Sequence, residues 1–315
     1  MSITVLGGGL LTTVQDRGRS GYQQFGVPVS GVVDPRAMSV ANILVGNPED
    51  AAVLECTMMG PMLQFDQDTV FAVTGGDLRP SLDGQPVPGY TAIAAKAGQV
   101  LQFFGLKSGC RAYVAFAGGV DVAPVMGSRS TYMKAKIGGL EGRKLEKGDV
   151  LPIGTPKTAL KDIGGRHIAP EFVKRDVYTL HVILGPQDDM FTEAGIKTFL
   201  SETYTVTPEF DRMGCRLDGA VIEHINGGDI ISDGIAFGAV QVPSAGKPII
   251  MLADRQTTGG YTKIANVITF DFRILAQLKA GDKVRFEKVS VEFAQDALLT
   301  QREALRALKF MLGRT

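Results

Sequence analysis

The sequence predicts a mainly β (α+β) protein of two domains with a helix at its carboxyl end. Three observations predict it. A chain of 315 residues is longer than one hydrophobic core usually serves. Short apolar or alternating runs bounded by Gly, Asp and Pro recur at close intervals, in a chain with 39 Gly, 15 Pro and no Trp, which turns often. The few helical stretches are spaced irregularly among them, which argues against βαβ alternation and a doubly wound parallel sheet, and for barrel-like or sandwich domains.

In the first half AAVLEC (51–56), TVFAVTGG (69–76), QVLQFFG (99–105) and RAYVAFAGG (111–119) read as strands. In the second half YTLHVILG (178–185), GAVQV (238–242), KPIIML (247–252) and KVRFEKV (283–289) do the same. The clearest early helix is DPRAMSVANILVGN (34–47). There Asp34 caps, Pro35 fits the first turn, and Ala37, Ala41, Leu44 and Val45 share one face, until Gly46 and Asn47 stop it. QDDMFTEAGIKTFLS (187–201) and FDFRILAQLK (270–279) predict two further helices, and VEFAQDALLTQREALRALKFML (291–312) a long amphipathic one. The stretch GTPKTALKDIGGRHIAPEF (154–172) follows neither period and mixes Gly, Pro and charge. The domain junction is expected there, dividing 1–160 from 161–315.

Composition removes several function classes. The 33 cations cancel the 33 acids, so the average field gives no reason to expect nucleic acid or anionic lipid as partner. Cys56, Cys110 and Cys215 are odd in number and far apart, which fits neither a disulfide framework nor a Cys-x-x-Cys metal site, and a reducing cytoplasm is the simplest setting. The amino terminus has no basic region ahead of its short apolar stretch, and no segment reaches the length of a membrane span, so a soluble, unexported chain is expected.

Motif tests remove more. PSAGKPI fails as a phosphate loop, because Gln241 stands where the first glycine belongs and Pro248 replaces the hydroxyl residue. GGGLLTTV lacks the third glycine of a dinucleotide fingerprint. His167, His181 and His224 lack metal-ligand spacing and read as structural, and no metal site is expected. Met133 and Lys134 lie in a pattern unlike a biotin attachment site.

What remains is a set of polar loops: QDRGRSGYQQFG, VSGVVDPR, MGSRSTY, FDRMGCR and ADRQTTGGYTK. Two of them echo each other, Asp16, Arg17, Gly21 and Tyr22 against Asp254, Arg255, Gly260 and Tyr261, as equivalent loops of two related barrels would. Arginine forks suit carboxylate or phosphate, and Gln, Thr and Tyr orient a carbonyl or amide, so the loops together suit a small anionic amide. The competing structural explanation is that Asp16 with Arg17, and Asp254 with Arg255, are ion pairs that hold glycine-rich turns.

Four long motifs in matching order, VQDRGRSGYQQFGVPVSGVVDPRAMSVANILVGN, AGGVDVAPVMGSRSTY, RMGCRL and SDGIAFGAVQVPSAGKPIIMLADRQTTGGYTKIANVI, resemble the carboxyltransferase family that includes the C subunit of 5-oxoprolinase, the KipA proteins, allophanate hydrolase subunit 2 and part of urea carboxylase. The resemblance covers nearly the whole chain. It departs at Cys215, where tyrosine is usual, and at Thr262, where proline is usual.

The resemblance implies two cyclophilin-like β-barrel domains and a cytoplasmic hetero-complex. In that complex ATP drives the opening of the 5-oxoproline lactam to glutamate. The partners would be a KipI-like B subunit, and a third, the A subunit. ATP would serve at the level of the complex, its site on this or another chain, and the protein would carry no covalently attached biotin and be inactive alone. Phosphorylation of the amide oxygen would make the lactam carbon electrophilic, with preorganised donors stabilising the charge that develops on oxygen.

Arg17, Arg129, Arg212 and Arg255 are then candidates to clamp carboxylate or phosphate, and Asp16, Asp34 and Asp254 to orient water or a cation. Gln256, Thr257, Thr258 and Tyr261 would hydrogen-bond the ring amide, Lys263 would bind an anion, and Gln23 and Ser30 complete the expected substrate contacts. Two rival functions follow from the same resemblance. One is carboxyl transfer from a biotin supplied in trans, as in urea carboxylase. The other is a KipA-like binding protein that counteracts a kinase inhibitor.

Overall fold

The computed structural model describes residues 1–313, so Arg314 and Thr315, at the end of the expected second domain, lie outside the described residues. The chain divides into two compact units that are not contiguous in sequence. Unit 1 holds 1–19, 30–174 and the chain from Glu303, and unit 2 holds 20–29 and 175–302. The junction lies between Lys174 and Arg175 because the preceding stretch still packs on the first unit's core: Ile163 is fully buried there, with Leu160 and Ile168 against the same cluster.

Unit 1 contributes eleven strands among the described residues: β1 (Ser2–Gly7), β2 (Leu11–Gln15), β3 (Val53–Thr57), β4 (Met62–Phe65), β5 (Thr69–Asp77), β6 (Pro80–Leu82), β7 (Gln85–Pro86), β8 (Ala92–Ala95), β9 (Val100–Phe103), β10 (Ser108–Phe116) and β11 (Val150–Pro152). They form a six-stranded sheet, β11-β1-β4-β9-β6-β7, and a five-stranded sheet, β2-β3-β10-β5-β8. The five-stranded sheet is buried on both faces. Along β5, Phe71 and Val73 enter one core while Val70 and Ala72 enter another, and along β10 Ala112, Val114 and Phe116 alternate with Tyr113 and Ala115. That is why these segments read as continuous apolar runs.

The first core is shared with residues of the six-stranded sheet, and Phe65 stacks on Phe71 across it at 5.4 Å. The second is covered by helix α1 (Pro35–Leu44), whose Ala37, Met38, Val40, Ala41 and Leu44 are buried, and by Leu305 and Leu308 of the terminal helix. Asp34 caps α1 as expected, its Oδ1 accepting from the Ala37 N–H at 2.9 Å.

Unit 2 has β12 (Val177–Leu184), β13 (Tyr204–Phe210), β14 (Gly214–Asp218), β15 (Asp229–Gly234), β16 (Ala239–Val242), β17 (Ile249–Met251), β18 (Thr258–Val267) and β19 (Lys283–Lys288). The order β12-β19-β13-β14-β17-β16-β18 closes on itself, because β18 also pairs with β12, Val182 facing Val267 and Leu184 facing Ala265. A barrel of this kind removes its own edges. The long β18 serves twice: its later half lies between β16 and β12, while its first residues pair with β15, Asp233 opposite Gly259.

Helices agree less closely with expectation. The second begins only at Glu193 (α2, Glu193–Ser201), where the Thr192 hydroxyl accepts from Gly195 N–H at 2.9 Å, and Asp188–Met190 forms a separate 3-10 turn. The third shrinks to a 3-10 turn, Thr269–Asp271, and a four-residue α3 (Phe272–Leu275). Tertiary contacts fix this tight form: Asp271 accepts from the His181 backbone N–H at 2.7 Å, and Phe272 stacks on Phe237 at 4.1 Å. The terminal helix α4 (Val291–Leu312) spans the expected residues. Among the described residues, no helix is long and apolar enough to cross a membrane.

Candidate functional site

The expected site residues lie in both units. In unit 1, the Asp16 carboxylate is committed to the backbone and hydroxyls of its surroundings. Oδ1 accepts from Gly18 N–H at 2.8 Å and from the Ser128 and Ser130 hydroxyls at 2.6 Å each, and Oδ2 accepts from Arg129 N–H at 2.6 Å. This acid ties the loop after β2 to the 128–130 turn. Its neighbour Arg17 turns elsewhere, 3.9 Å from Glu49 and 3.4 Å from the Ser39 hydroxyl, with about half its side chain exposed. The anticipated Asp16–Arg17 ion pair is therefore not formed. Arg129 donates to Val122 carbonyl and to Asp121, both at 2.8 Å.

Ser30 is buried in the left-handed region, at φ 56°, and its hydroxyl has no partner among the described residues. The next residue, Gly31, lies so close to the Arg17–Gly18 backbone that a Cβ would meet it at 2.9 Å. Asp34, beyond its capping role, is pushed up to about 6, chiefly by burial and further by the Glu171 carboxylate. Glu171 itself forms a two-point pair with Arg36, at 2.7 and 2.6 Å.

A cavity of about 160 Å³ lies in this unit between Thr74–Asp77, Tyr90, Ser108 and Phe172. None of its lining side chains carries a buried, unpartnered polar atom among the described residues.

In unit 2 the loop after β17 separates two adjacent charges. Asp254 pairs with Arg212, 42 positions away, through Nε–Oδ2 at 2.9 Å and Nη2–Oδ1 at 3.1 Å, both side chains buried. The anticipated partner Arg255 points elsewhere. Its Nε donates to Ile235 carbonyl at 2.8 Å and its Nη1 to Leu252 carbonyl at 3.3 Å, and its guanidinium carbon sits 5.7 Å from the centre of the Phe237 ring. Among the described residues, no carboxylate comes within ion-pair distance of it. Burial lowers it to about 10, so it remains a cation at neutral pH.

Arg255 borders an open depression of about 650 Å³, together with Gln23, Gln24, Thr257, Thr258 and the Gly234–Phe237 turn. All of these belong to unit 2, because the 3-10 turn Gln23–Phe25 falls in the segment 20–29. A desolvated cation is thus set beside two hydroxyls and two carboxamides, groups whose chemistry matches a carboxylate and an amide. Of the expected residues, this surface gathers Gln23, Arg255, Thr257 and Thr258. Gln256 is exposed beside it, and Tyr261 is largely exposed farther along β18. Lys263 is buried on β18 and paired with Asp233 at 3.1 Å. Among the described residues, no group of three or more His, Cys, Asp and Glu is placed to hold a metal ion.

Comparison with known proteins places this arrangement. Residues 25–288 match the family described as carboxyltransferase domain, subdomain A and B. The chain belongs to this carboxyltransferase family. It is similar to the C subunit of 5-oxoprolinase from Escherichia coli, 38% identical over 312 residues that cover 98% of each chain. It is equally similar to the C subunit of 5-oxoprolinase from Haemophilus influenzae, 39% identical over 282 residues, 90% of this chain and 89% of that one. Among solved structures it resembles the urea amidolyase of K. lactis, with TM-score 0.90 and 29% identity over 98% of this chain but 20% of that one.

The two departures from the carboxyltransferase pattern are accommodated locally. Cys215 is buried in β14, and Thr262 donates its backbone N–H to Gly228 carbonyl at 2.9 Å, a bond proline lacks, and its hydroxyl to Val242 carbonyl at 2.9 Å. Sequence reasoning missed Gln24, the Gly234–Phe237 turn and Asp233. Gln24 adjoins the expected Gln23, and the turn lies inside the SDGIAFGAVQV motif, so both carried a signal. Asp233 lies in the same motif, but strand register and not its spacing brings it to Lys263.

Proposed function

We propose that this carboxyltransferase-family chain is the C subunit of a 5-oxoprolinase that opens 5-oxoproline to glutamate at the expense of ATP. The observation that carries the reading is the buried Arg255 guanidinium, with no carboxylate within ion-pair distance among the described residues, at the rim of the unit 2 depression. The full-length likeness to chains named as C subunits of 5-oxoprolinase supports it.

In this reading Arg255 takes the substrate carboxylate, a charge-assisted pair strengthened by the low-dielectric wall formed by Phe237 and Ile235. Thr257, Thr258, Gln23 and Gln24 offer hydroxyl and amide groups to the lactam, fixing its plane and register. Asp254 does not touch the substrate. Held by Arg212, it fixes the backbone from which Arg255 departs.

The donor set suits one carboxylate better than a triphosphate, because a single guanidinium serves the depression and no P-loop feeds it. ATP is therefore assigned to the complex. The partners are a KipI-like B subunit, and a third, the A subunit. The likeness to urea amidolyase favours a second reading, carboxyl transfer from biotin held on another chain, in which the same depression aligns the acceptor.

Arg255→Ala in the assembled complex tests the first reading. ATP-dependent glutamate release from 5-oxoproline is expected to fall on the order of 10²-fold, the loss of a desolvated charge pair, while assembly survives. Undiminished turnover in that variant rejects the site. Activity abolished by avidin in the wild-type complex would favour the carboxyl-transfer reading instead.

A further inference from the structure

One donor beside the depression is left unused by the fold. Gln241, on β16, is 4% exposed, and its carboxamide Nε2 has no hydrogen-bond partner among the described residues. A buried donor in that state is costly to the fold, so some function or compensation is expected of it.

Register and sterics show where the amide points. Gln241 lies opposite Lys263 on β18, and Lys263, Tyr261 and Gly259 share that face of the strand. Gly259 has no side chain, and a Cβ placed there would stand 2.9 Å from Gln241 Nε2 and 2.7 Å from Ile235 Cδ1. The amide nitrogen and the isoleucine methyl therefore converge on one point beside Gly259. Ile235 lines the depression, as does Thr258, the residue before Gly259. Ile235, which follows β15 and is 3% exposed, packs with Ala239 and Met251 and stands beside the amide at the edge of the site. Lys263, the neighbouring donor on this face, is already engaged by Asp233 at 3.1 Å.

We infer that Gln241 is a specificity-determining residue of the Arg255 site: when Ile235 turns aside, Gln241 Nε2 donates to the carbonyl oxygen of a ligand whose carboxylate pairs with Arg255. This role rests on the reading of the depression as a 5-oxoproline site. It adds to that reading a further donor for the lactam carbonyl, beside the groups that Thr257, Thr258, Gln23 and Gln24 offer. An NH₂ donor accepts only an acceptor as its complement, so the ligand atom it meets is a carbonyl oxygen and not the ring N–H. Gly259 is required at its position because any side chain would fill the space through which the amide is reached.

A part in recognition makes two demands that a structural part does not. Replacing Gln241 by leucine removes a buried donor that the fold leaves unpaired, so stability is retained or raised. The same replacement removes recognition of the carbonyl. The test is equilibrium binding to the assembled complex of 5-oxoproline and of cyclopentanecarboxylate, which keeps the ring and carboxylate but lacks the lactam. The wild-type complex is expected to prefer 5-oxoproline about tenfold or more, the effect of one good hydrogen bond. Gln241→Leu is expected to bind cyclopentanecarboxylate as the wild type does and to prefer 5-oxoproline about fivefold to tenfold less than the wild type does, with an unchanged or raised Tm.

A Gln241→Leu complex that keeps the tenfold preference overturns the inference, and so does a variant that binds both ligands equally less well. If leucine prevents assembly, Gln241→Met, unbranched and of similar length, is judged by the same readout. Arg255→Ala separates the two readings, because it should lose both ligands. A wild-type complex that binds neither rejects the 5-oxoproline site itself, and the role of Gln241 with it.

Discussion

Function turns on single residues, and their environments decide which of them can act. Asp16 and Asp254 look alike in the sequence, each followed by arginine, yet each is satisfied by groups distant in sequence, and each neighbouring arginine is released to a different fate. Asp34 gives the sharpest test at this scale. Its folded value of about 6 lies above its ordinary 3.8, so the folded state holds the proton more tightly than the unfolded one. That contribution is complete below about pH 4 and is lost as pH rises through about 6. Asp34→Asn keeps an N-cap without the charge. Chemical denaturation across that range should show the wild type losing stability relative to this variant by roughly 3 kcal/mol in total, and parallel profiles would contradict the burial argument. The residue types of the site were legible in the sequence. Which partner each would choose was not, because pairing depends on strand register and loop direction that residue spacing does not encode.

Elements were legible where burial was simple. The strands buried on both faces, β3, β5 and β10, are dominated by apolar residues, though Glu55 and Arg111 are buried among them, and α1 announces its cap, its proline and its stop. β1, β2, β4, β6 to β8, β11, β13 to β15 and β18 escaped notice; Gly, Thr and charge interrupt the patterns of β1, β2 and β13 to β15, β15 is exposed along nearly its whole length, and the first residues of β18 read as part of the ADRQTTGGYTK loop. The third helix was lost to contacts from β12 that overrule propensity. At this scale the Arg212–Asp254 pair is a clasp. Arg212 precedes β14 and Asp254 follows β17, two strands paired antiparallel with Gly214 opposite Met251, and the clasp closes their shared end. Arg212→Ala leaves a buried carboxylate without its cation, and a loss of about 3–5 kcal/mol is expected in thermal or denaturant unfolding. Because the clasp fixes the backbone next to Arg255, substrate binding in the complex should weaken as well. A variant with unaltered stability would show that the pair is not needed to hold the strand ends.

At the scale of the whole molecule, the mainly β class and the carboxyltransferase family agree across composition, strand closure and full-length likeness. The sequence could not show that the chain divides discontinuously, since the residues that leave one unit for the other, 20–29, are as glycine-rich and polar as their flanks. The prediction at this level concerns necessity. When the three proposed subunits are reconstituted, leaving this chain out should abolish ATP-dependent glutamate release, and release at the full rate without it would reject a catalytic role. The placement of residues 20–29 also bears on how such a gene could be divided. A break at the 174/175 junction would yield a downstream fragment with Arg255, Thr257 and Thr258 but without Gln23 and Gln24, which the upstream fragment would carry away. Descendants of a split gene would have to trade that decapeptide between polypeptides, a constraint that favours inheritance of the whole as one reading frame.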